Sequence, residues 1–290
     1  MINIPNLKLK NGFSMPVLGF GTWKMGQGRS YGAAQTDQDS IKTIHAAVDQ
    51  GVFHIDTAEL YGDGYVEELI SQALKDVDRS KIFITSKVKG QNATKEGIKK
   101  AIQGSLKRLK TDYLDLYLIH YRDTSIPIEE GILAMNELID EGLVRNFGVS
   151  NFAVDSLQKS LAVTRHPIVV NQVQYNLQHR ECEANGVLKF CQENDIILEA
   201  WGPVRPINQS TIDIPIIKEM CEKYSATPHQ IALNWLISQP NVTTLFKTNH
   251  SERLIENLGS LNFKISDEDI ERLRIDFPDQ ITEFPDFPMR

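Results

Sequence analysis

Eight times along the 290 residues, a short run rich in Val, Ile, Leu and Phe is followed by a stretch whose apolar residues recur at helical spacing. Strands separated by helices pair in parallel, so such a chain forms either a barrel closed on itself or an open sheet wound in both directions. The strand candidates fall at residues 17–22, 53–58, 82–88, 114–120, 144–151, 168–175, 197–203 and 242–248. The helical stretches cover 37–50, 64–75, 94–109, 128–141, 153–162, 181–193, 227–238 and 251–258, and two extra helices are expected at 215–223 and 266–273. Hydroxyls at Thr94 and Ser251 suit helix starts, and Asp155 suits a first turn. Ahead of the first barrel strand, residues 7–10 and 13–15 flank Asn11-Gly12, which readily takes the positive φ angles of a two-residue turn. That predicts an N-terminal β-hairpin acting as a cap.

The number of units favours the barrel. An open dinucleotide-binding sheet would carry Gly-x-Gly-x-x-Gly after its first strand, and Gly19-Phe-Gly21-Thr-Trp-Lys24 fails at the third glycine. No linker-like shift in composition divides the chain, so the expectation is one α/β domain over residues 1–290, a (β/α)8 TIM barrel of ordinary size for that fold.

Charge and cysteine usage then narrow the function classes. A formal net charge of −7 gives no attraction for a phosphate backbone or an anionic membrane, so neither nucleic acid nor membrane is an expected partner. Cys182, Cys191 and Cys221 cannot all pair within the chain and none lies in a Cys-x-x-Cys arrangement. The first residues lack the pattern of a signal peptide, and a reduced, cytoplasmic protein is expected.

In a barrel of this kind the chemistry sits at the C-terminal ends of the strands. The second strand candidate ends in Asp56 and runs on to Tyr61, the third ends near Lys87 and the fourth in His120. Consecutive strands lie about 4.8 Å apart, so these four side chains share one rim. A phenol of pKa about 10 donates a proton poorly at neutral pH unless a neighbouring cation stabilises its phenolate. Lys87 suits that role beside Tyr61, Asp56 suits the task of keeping Lys87 charged, and His120 can donate a hydrogen bond to a carbonyl oxygen. The set is suited to protonating a carbonyl, and hydride must then come from a redox cofactor. No metal is expected: His54 and Asp56 face the same way on their strand, but no third ligand is well placed, and His54 reads as a barrel-interior residue.

The ordered runs Leu18-Gly-Phe-Gly-Thr-Trp23, Ile55-Asp-Thr-Ala-Glu-Leu-Tyr-Gly62, Ile84-Thr-Ser-Lys-Val88, Leu114-Asp-Leu-Tyr-Leu-Ile-His120, Val144-Arg-Asn-Phe-Gly-Val-Ser-Asn-Phe152 and Asn171-Gln-Val-Gln-Tyr175 resemble the aldo-keto reductase family over nearly the whole chain. The resemblance implies that Asp56, Tyr61, Lys87 and His120 are the family's tetrad, with Tyr61 the general acid in reduction of an aldehyde or ketone. It implies NADPH or NADP+ as cofactor. Ser150, Asn151 and Gln172 would hold the nicotinamide carboxamide, Trp201 would stack on its ring, and Gly21, Thr22, Trp23, Asp56, Gly202 and Pro203 would complete its surroundings. Lys247, Thr248 and Arg253 would contact the 2′-phosphate, and Glu256 and Asn257 the adenine. Substrate would meet Trp23, Tyr61, His120 and Tyr121.

The chain departs from the family pattern where His120 is followed by Tyr121-Arg122-Asp123 in place of Trp-Pro; Arg122 is placed either to pair with Asp123 or to offer a cation to a carboxylate-bearing substrate. Gly202 replaces a serine, and Leu245-Phe246 an Ile-Pro. The connection at 26–31 carries the glycines of a cleft lip, and the tail with Phe284, Pro285, Phe287 and Pro288 resembles a segment that closes the substrate pocket. The alternative from another class is an NADPH-binding regulatory subunit with little turnover. A third, a non-redox barrel enzyme, leaves Ser150, Asn151, Gln172 and Trp201 without a shared purpose.

Overall fold

The structure, a computed structural model, describes residues 2–26, 36–283 and 289–290. Residues 27–31 of the proposed cleft lip and Phe284, Pro285, Phe287 and Pro288 of the tail lie outside the described residues. The described residues form ten strands: β1 (Asn6–Lys8), β2 (Ser14–Pro16), β3 (Leu18–Gly21), β4 (His54–Asp56), β5 (Phe83–Val88), β6 (Leu116–Ile119), β7 (Phe147–Ser150), β8 (Ile168–Gln174), β9 (Ile197–Trp201) and β10 (Val242–Phe246). Strands β3 to β10 pair in parallel and in chain order, and β10 closes on β3, giving the expected eight-stranded barrel. Helices between the strands cover its outside, so β6, β7, β8 and β10 are buried along their whole length, as strands covered on both faces must be.

The hairpin forms, with Leu7 opposite Met15, but its turn differs from the expectation. Gly12 N donates to Leu9 O and Leu9 N to Phe13 O, so the loop is Lys10-Asn11-Gly12, three residues long. Only Gly12 takes a positive φ, at 94°, which its lack of a Cβ permits, while the Asn11 side chain accepts from Phe13 N at 2.9 Å. Phe13, Met15 and Leu9 pack against Leu116, Leu118, Val169, Val170 and Ile197, so the hairpin plugs the barrel at the N-terminal end of its strands.

Most helices lie near their predicted bounds, and both extra helices are present as Pro215–Tyr224 and Asp267–Asp276. Thr94 caps as expected, accepting from Gly97 N at 3.1 Å, and Asp155 lies in a first turn. The eighth helix starts differently: Ser251 is its first helical residue, preceded by an extended His250 that makes no side-chain cap. The expected helix at 181–193 is two pieces, Glu181–Ala184 and Val187–Glu193, separated at Gly186, whose φ of 80° is not helical. No helix among the described residues is long and apolar enough to cross a membrane.

Candidate active site

The C-terminal end of the barrel is built from polar strand ends. Asp56 is the last residue of β4, and the chain beyond it turns sharply: Gly62, Asp63 and Gly64 all have positive φ inside one 3-10 turn. The φ of 90° at Gly64 is what favours glycine there; a Cβ would also displace the Arg108 side chain, whose Nε lies 2.3 Å from its position. The Asp63 carboxylate pairs with Lys89 at 2.9 Å across the turn. This folds Tyr61 back over the barrel mouth with only 8% of its surface exposed.

Lys87, from β5, is wholly buried beneath it. Its ammonium donates to Asp56 Oδ1 at 2.7 Å, to Asp56 Oδ2 at 2.8 Å and to Thr57 O at 2.7 Å, and lies 5.3 Å from the centre of the Tyr61 ring. Burial opposes the charge on Lys87, and the Asp56 carboxylate with the Tyr61 phenol more than offsets it, so the ammonium is held above the ordinary lysine value. His120 stands edge-on to Tyr61, ring centres 5.9 Å apart. Burial and then the Lys87 charge hold its pKa well below the usual histidine range, so the imidazole is neutral and has one ring N–H to donate. The structure thus brings Asp56, Tyr61, Lys87 and His120 into one cluster.

A pocket of about 590 Å³ opens over that cluster, lined by Gly21, Trp23, Asp56, Tyr61, His120, Ser150, Asn151, Gln172, Trp201, Gly202, Pro203 and Lys247 among others. Its polar wall is held by the barrel itself. Asn151 follows β7 in a left-handed conformation, φ 60°, and its amide donates to His120 O at 3.0 Å and to Ser150 Oγ at 2.9 Å, while Trp201 Nε1 donates to Asn151 Oδ1 at 3.3 Å. Ser150 Oγ donates to Gln172 O at 2.8 Å. A second pocket of about 220 Å³ adjoins the first, sharing Val204 and Lys247, and is lined by Thr248, Asn249, Arg253, Glu256 and Asn257. Burial and the nearby Lys24 hold Lys247 below the usual lysine value, and neither Lys247 nor Arg253 has a carboxylate partner among the described residues. The Thr248 hydroxyl is engaged in the local turn with His250.

Three expected site residues stand elsewhere. Thr22 is fully buried, its hydroxyl donating to Asp56 O at 2.8 Å, so it braces the end of β4 and does not line the pocket. Tyr121 packs beside His120, but its hydroxyl donates to Gln91 at 2.6 Å and it is not in the pocket wall. Arg122 turns away and donates to Ser156 at 3.0 Å, because the chain beyond His120 leaves the rim. The pocket's guanidinium is instead Arg205, which lies 5.1 Å from the centre of the Trp23 ring and 4.8 Å from that of Trp201. Sequence reasoning missed it, since one arginine in a Pro-containing loop carries no periodicity to place it. Glu199 was missed too, as a lone acid in the apolar run of β9; it is wholly buried under the pocket floor. His54 is the expected interior histidine, with Nε2 3.0 Å from Thr85 Oγ1, and burial and Lys87 push its pKa down to about 3. No three potential metal-ligating side chains converge among the described residues.

Comparison with known proteins bears on the family and the fold. The profile of the Aldo/keto reductase family matches residues 17–275. The chain is 38% identical over 247 residues to an NAD/NADP-dependent indole-3-acetaldehyde reductase of Schizosaccharomyces pombe, covering 82% of this chain and 83% of that one. It is 32% identical over 275 residues to a glyoxal reductase of Bacillus subtilis, covering 92% and 91% respectively. The solved structure of an aldo-keto reductase from Klebsiella pneumoniae in complex with NADPH superposes with a TM-score of 0.83 at 33% identity, over 97% of this chain and 98% of that one. On its sequence, its closed barrel and the furnishing of its C-terminal rim, the chain belongs to the aldo/keto reductase family.

Proposed function

We propose that the protein is an NADPH-dependent reductase of small aldehydes or ketones, with Tyr61 as the general acid. The observation that carries this reading is the buried Lys87 ammonium, bonded to Asp56 and 5.3 Å from the Tyr61 ring centre, at the floor of a pocket that also holds a neutral His120. Tyr61 holds a proton on its Oη and gives it to the carbonyl oxygen; the ammonium stabilises the phenolate that remains. His120 donates its one ring N–H to the same oxygen and stabilises the negative charge that develops there. Asp56 keeps Lys87 charged where burial would otherwise favour the neutral amine.

The residues fit the coenzyme that the relatives' names imply. Trp201 gives a flat aromatic face, Ser150, Asn151 and Gln172 give a polar wall, and the adjoining pocket supplies the cations Lys247 and Arg253 for a 2′-phosphate. With NADPH held there, the chemistry it would supply is hydride for the carbonyl carbon. The alternative of a binding subunit without turnover is disfavoured by the catalytic cluster, which a purely coenzyme-binding protein has no use for.

The test is a panel of small aldehydes and ketones with NADPH or NADH, following coenzyme absorbance in the parent and in Lys247→Ala/Arg253→Ala. The parent should oxidise NADPH in a carbonyl-dependent way, and the double variant should lose NADPH affinity about thirtyfold or more, in line with two charge-assisted contacts of at least about 1 kcal/mol each, while NADH changes little. Absence of carbonyl-dependent oxidation across the panel contradicts the reading, and equal losses for both coenzymes contradict the phosphate site.

A further inference from the structure

Glu199 is a carboxyl for which the mechanism above has no use, and it touches a residue that the coenzyme site needs. It lies on β9 directly opposite Gln172 of β8, and the parallel register turns both side chains into the barrel. Gln172 Nε2 is 2.6 Å from Glu199 Oε2 and 2.9 Å from Asp56 Oδ2, the second contact reaching across the barrel interior. An amide nitrogen has two hydrogens, so both are committed to carboxyl oxygens beneath the pocket. What remains is Oε1, on a residue that lines the pocket. The reversed amide would set its carbonyl oxygen against the ionised Asp56 carboxylate, which has no proton to give, so that hydrogen bond would be lost.

The two carboxyls are not equivalent. Asp56 is ion-paired with the Lys87 ammonium, whereas Glu199 feels that charge only at a distance: the Lys87 field favours its ionised form but is outweighed by burial, and His54, with Nδ1 3.8 Å from Glu199 Oε1, is neutral. Burial, reinforced by the Asp56 charge, pushes the Glu199 carboxyl up to about 8. A protonated carboxyl still accepts from Gln172 through its carbonyl oxygen, so it can orient the amide without adding a second negative charge under the pocket.

From this geometry we propose that Glu199 is a positioning residue for the coenzyme: with Asp56 it holds the Gln172 amide so that Oε1 faces the pocket, where it accepts an N–H of the nicotinamide carboxamide. The assignment rests on the nicotinamide reading given above. Removing the acceptor frees the amide to rotate and weakens only ligands that carry the nicotinamide.

Calorimetric titration of the whole protein with NADPH and with 2′-phosphoadenosine diphosphoribose, which lacks the nicotinamide, tests this. Glu199→Met, apolar and of similar length, should weaken NADPH about tenfold, a change of about 1.4 kcal/mol, and leave the truncated ligand within about twofold. Glu199→Gln keeps an acceptor and should bind both ligands like the parent. In a Gln172→Ala background, Glu199→Met should cause no further loss of NADPH affinity. The proposal is overturned by parent-like NADPH binding in Glu199→Met, by losses of the same size for both ligands, or by a tenfold NADPH loss in Glu199→Gln. That last variant nearly conserves shape, so it keeps the proposal open to refutation even should Glu199→Met not fold. A parent that binds neither ligand overturns the coenzyme reading itself, which separates the two failures.

Discussion

The two ends of the barrel are made from the same eight strands and do opposite things. At the N-terminal end the interior is apolar: Phe13 and Met15 of the hairpin seat on Leu116, Leu118, Val169, Val170 and Ile197. At the C-terminal end the interior holds Asp56, Lys87, Gln172 and Glu199, all nearly or wholly buried. Burying apolar side chains contributes about 1.5 to 3 kcal/mol each, whereas a buried ion pair roughly breaks even at best and becomes costly once one partner is removed. One end therefore carries stability and the other a cluster of buried charge.

The comparison breaks most visibly at Lys87. Lys87→Met leaves Asp56 buried without its cation and Tyr61 without its electrostatic partner, so kcat for carbonyl reduction should fall by about 10³ and unfolding should become easier by about 3 kcal/mol or more. Steady-state rates and urea unfolding read the two effects together. At the other end Phe13→Ala should lower stability by a similar amount, about 3 kcal/mol, yet leave kcat within about twofold, since the hairpin touches none of the rim residues. A matching kcat loss in Phe13→Ala would show that the two ends are not separable.

A smaller effect is the response of stability to pH. Glu199 is raised from 4.5 to about 8 by burial and Asp56, so the folded protein keeps a proton that the unfolded chain releases, and this contribution is lost as pH rises through that interval. His54 is lowered from 6.5 to about 3 by burial and Lys87, so its contribution grows with pH up to 6.5. The His54 contribution is common to the parent and Glu199→Gln and cancels in their difference, which then follows Glu199 while Asp56 and Lys87 remain paired beside it. Stability of the parent relative to Glu199→Gln should therefore fall by up to about 1.4 kcal/mol per pH unit from about 6.5 to about 8, measured by urea midpoints. A difference that stays flat across that window would contradict the assigned environment.

The barrel was legible because short runs rich in Val, Ile, Leu and Phe alternate eight times with stretches that are apolar on one helical face. The cluster of Asp56, Tyr61, Lys87 and His120 was legible for the same reason, since strand order and strand end together fix a rim. What could not be read depends on contacts between distant segments. Closure of the barrel sets Gln172 against Asp56, 116 positions away in the chain, and gives Glu199 its purpose. The hairpin turn was misjudged because Asn11-Gly12 suits both a two-residue loop and the last two positions of a three-residue one, and the packing of Phe13 and Met15 on the barrel floor accompanies the longer form. Tyr121 and Arg122 were misplaced because the chain beyond a strand end can leave in several directions, and here Gln91 and Ser156 hold them away from the pocket.

The most direct test of the proton donor is Tyr61→Phe, which removes one oxygen and keeps the ring against His120 and Lys87. With NADPH saturating and an aldehyde accepted by the parent, a single turnover should slow by about 10³ or more, as expected for loss of a general acid with its oriented proton, while calorimetry shows NADPH bound as tightly as before. Turnover at the parent's rate would contradict the claim that the phenol supplies the proton.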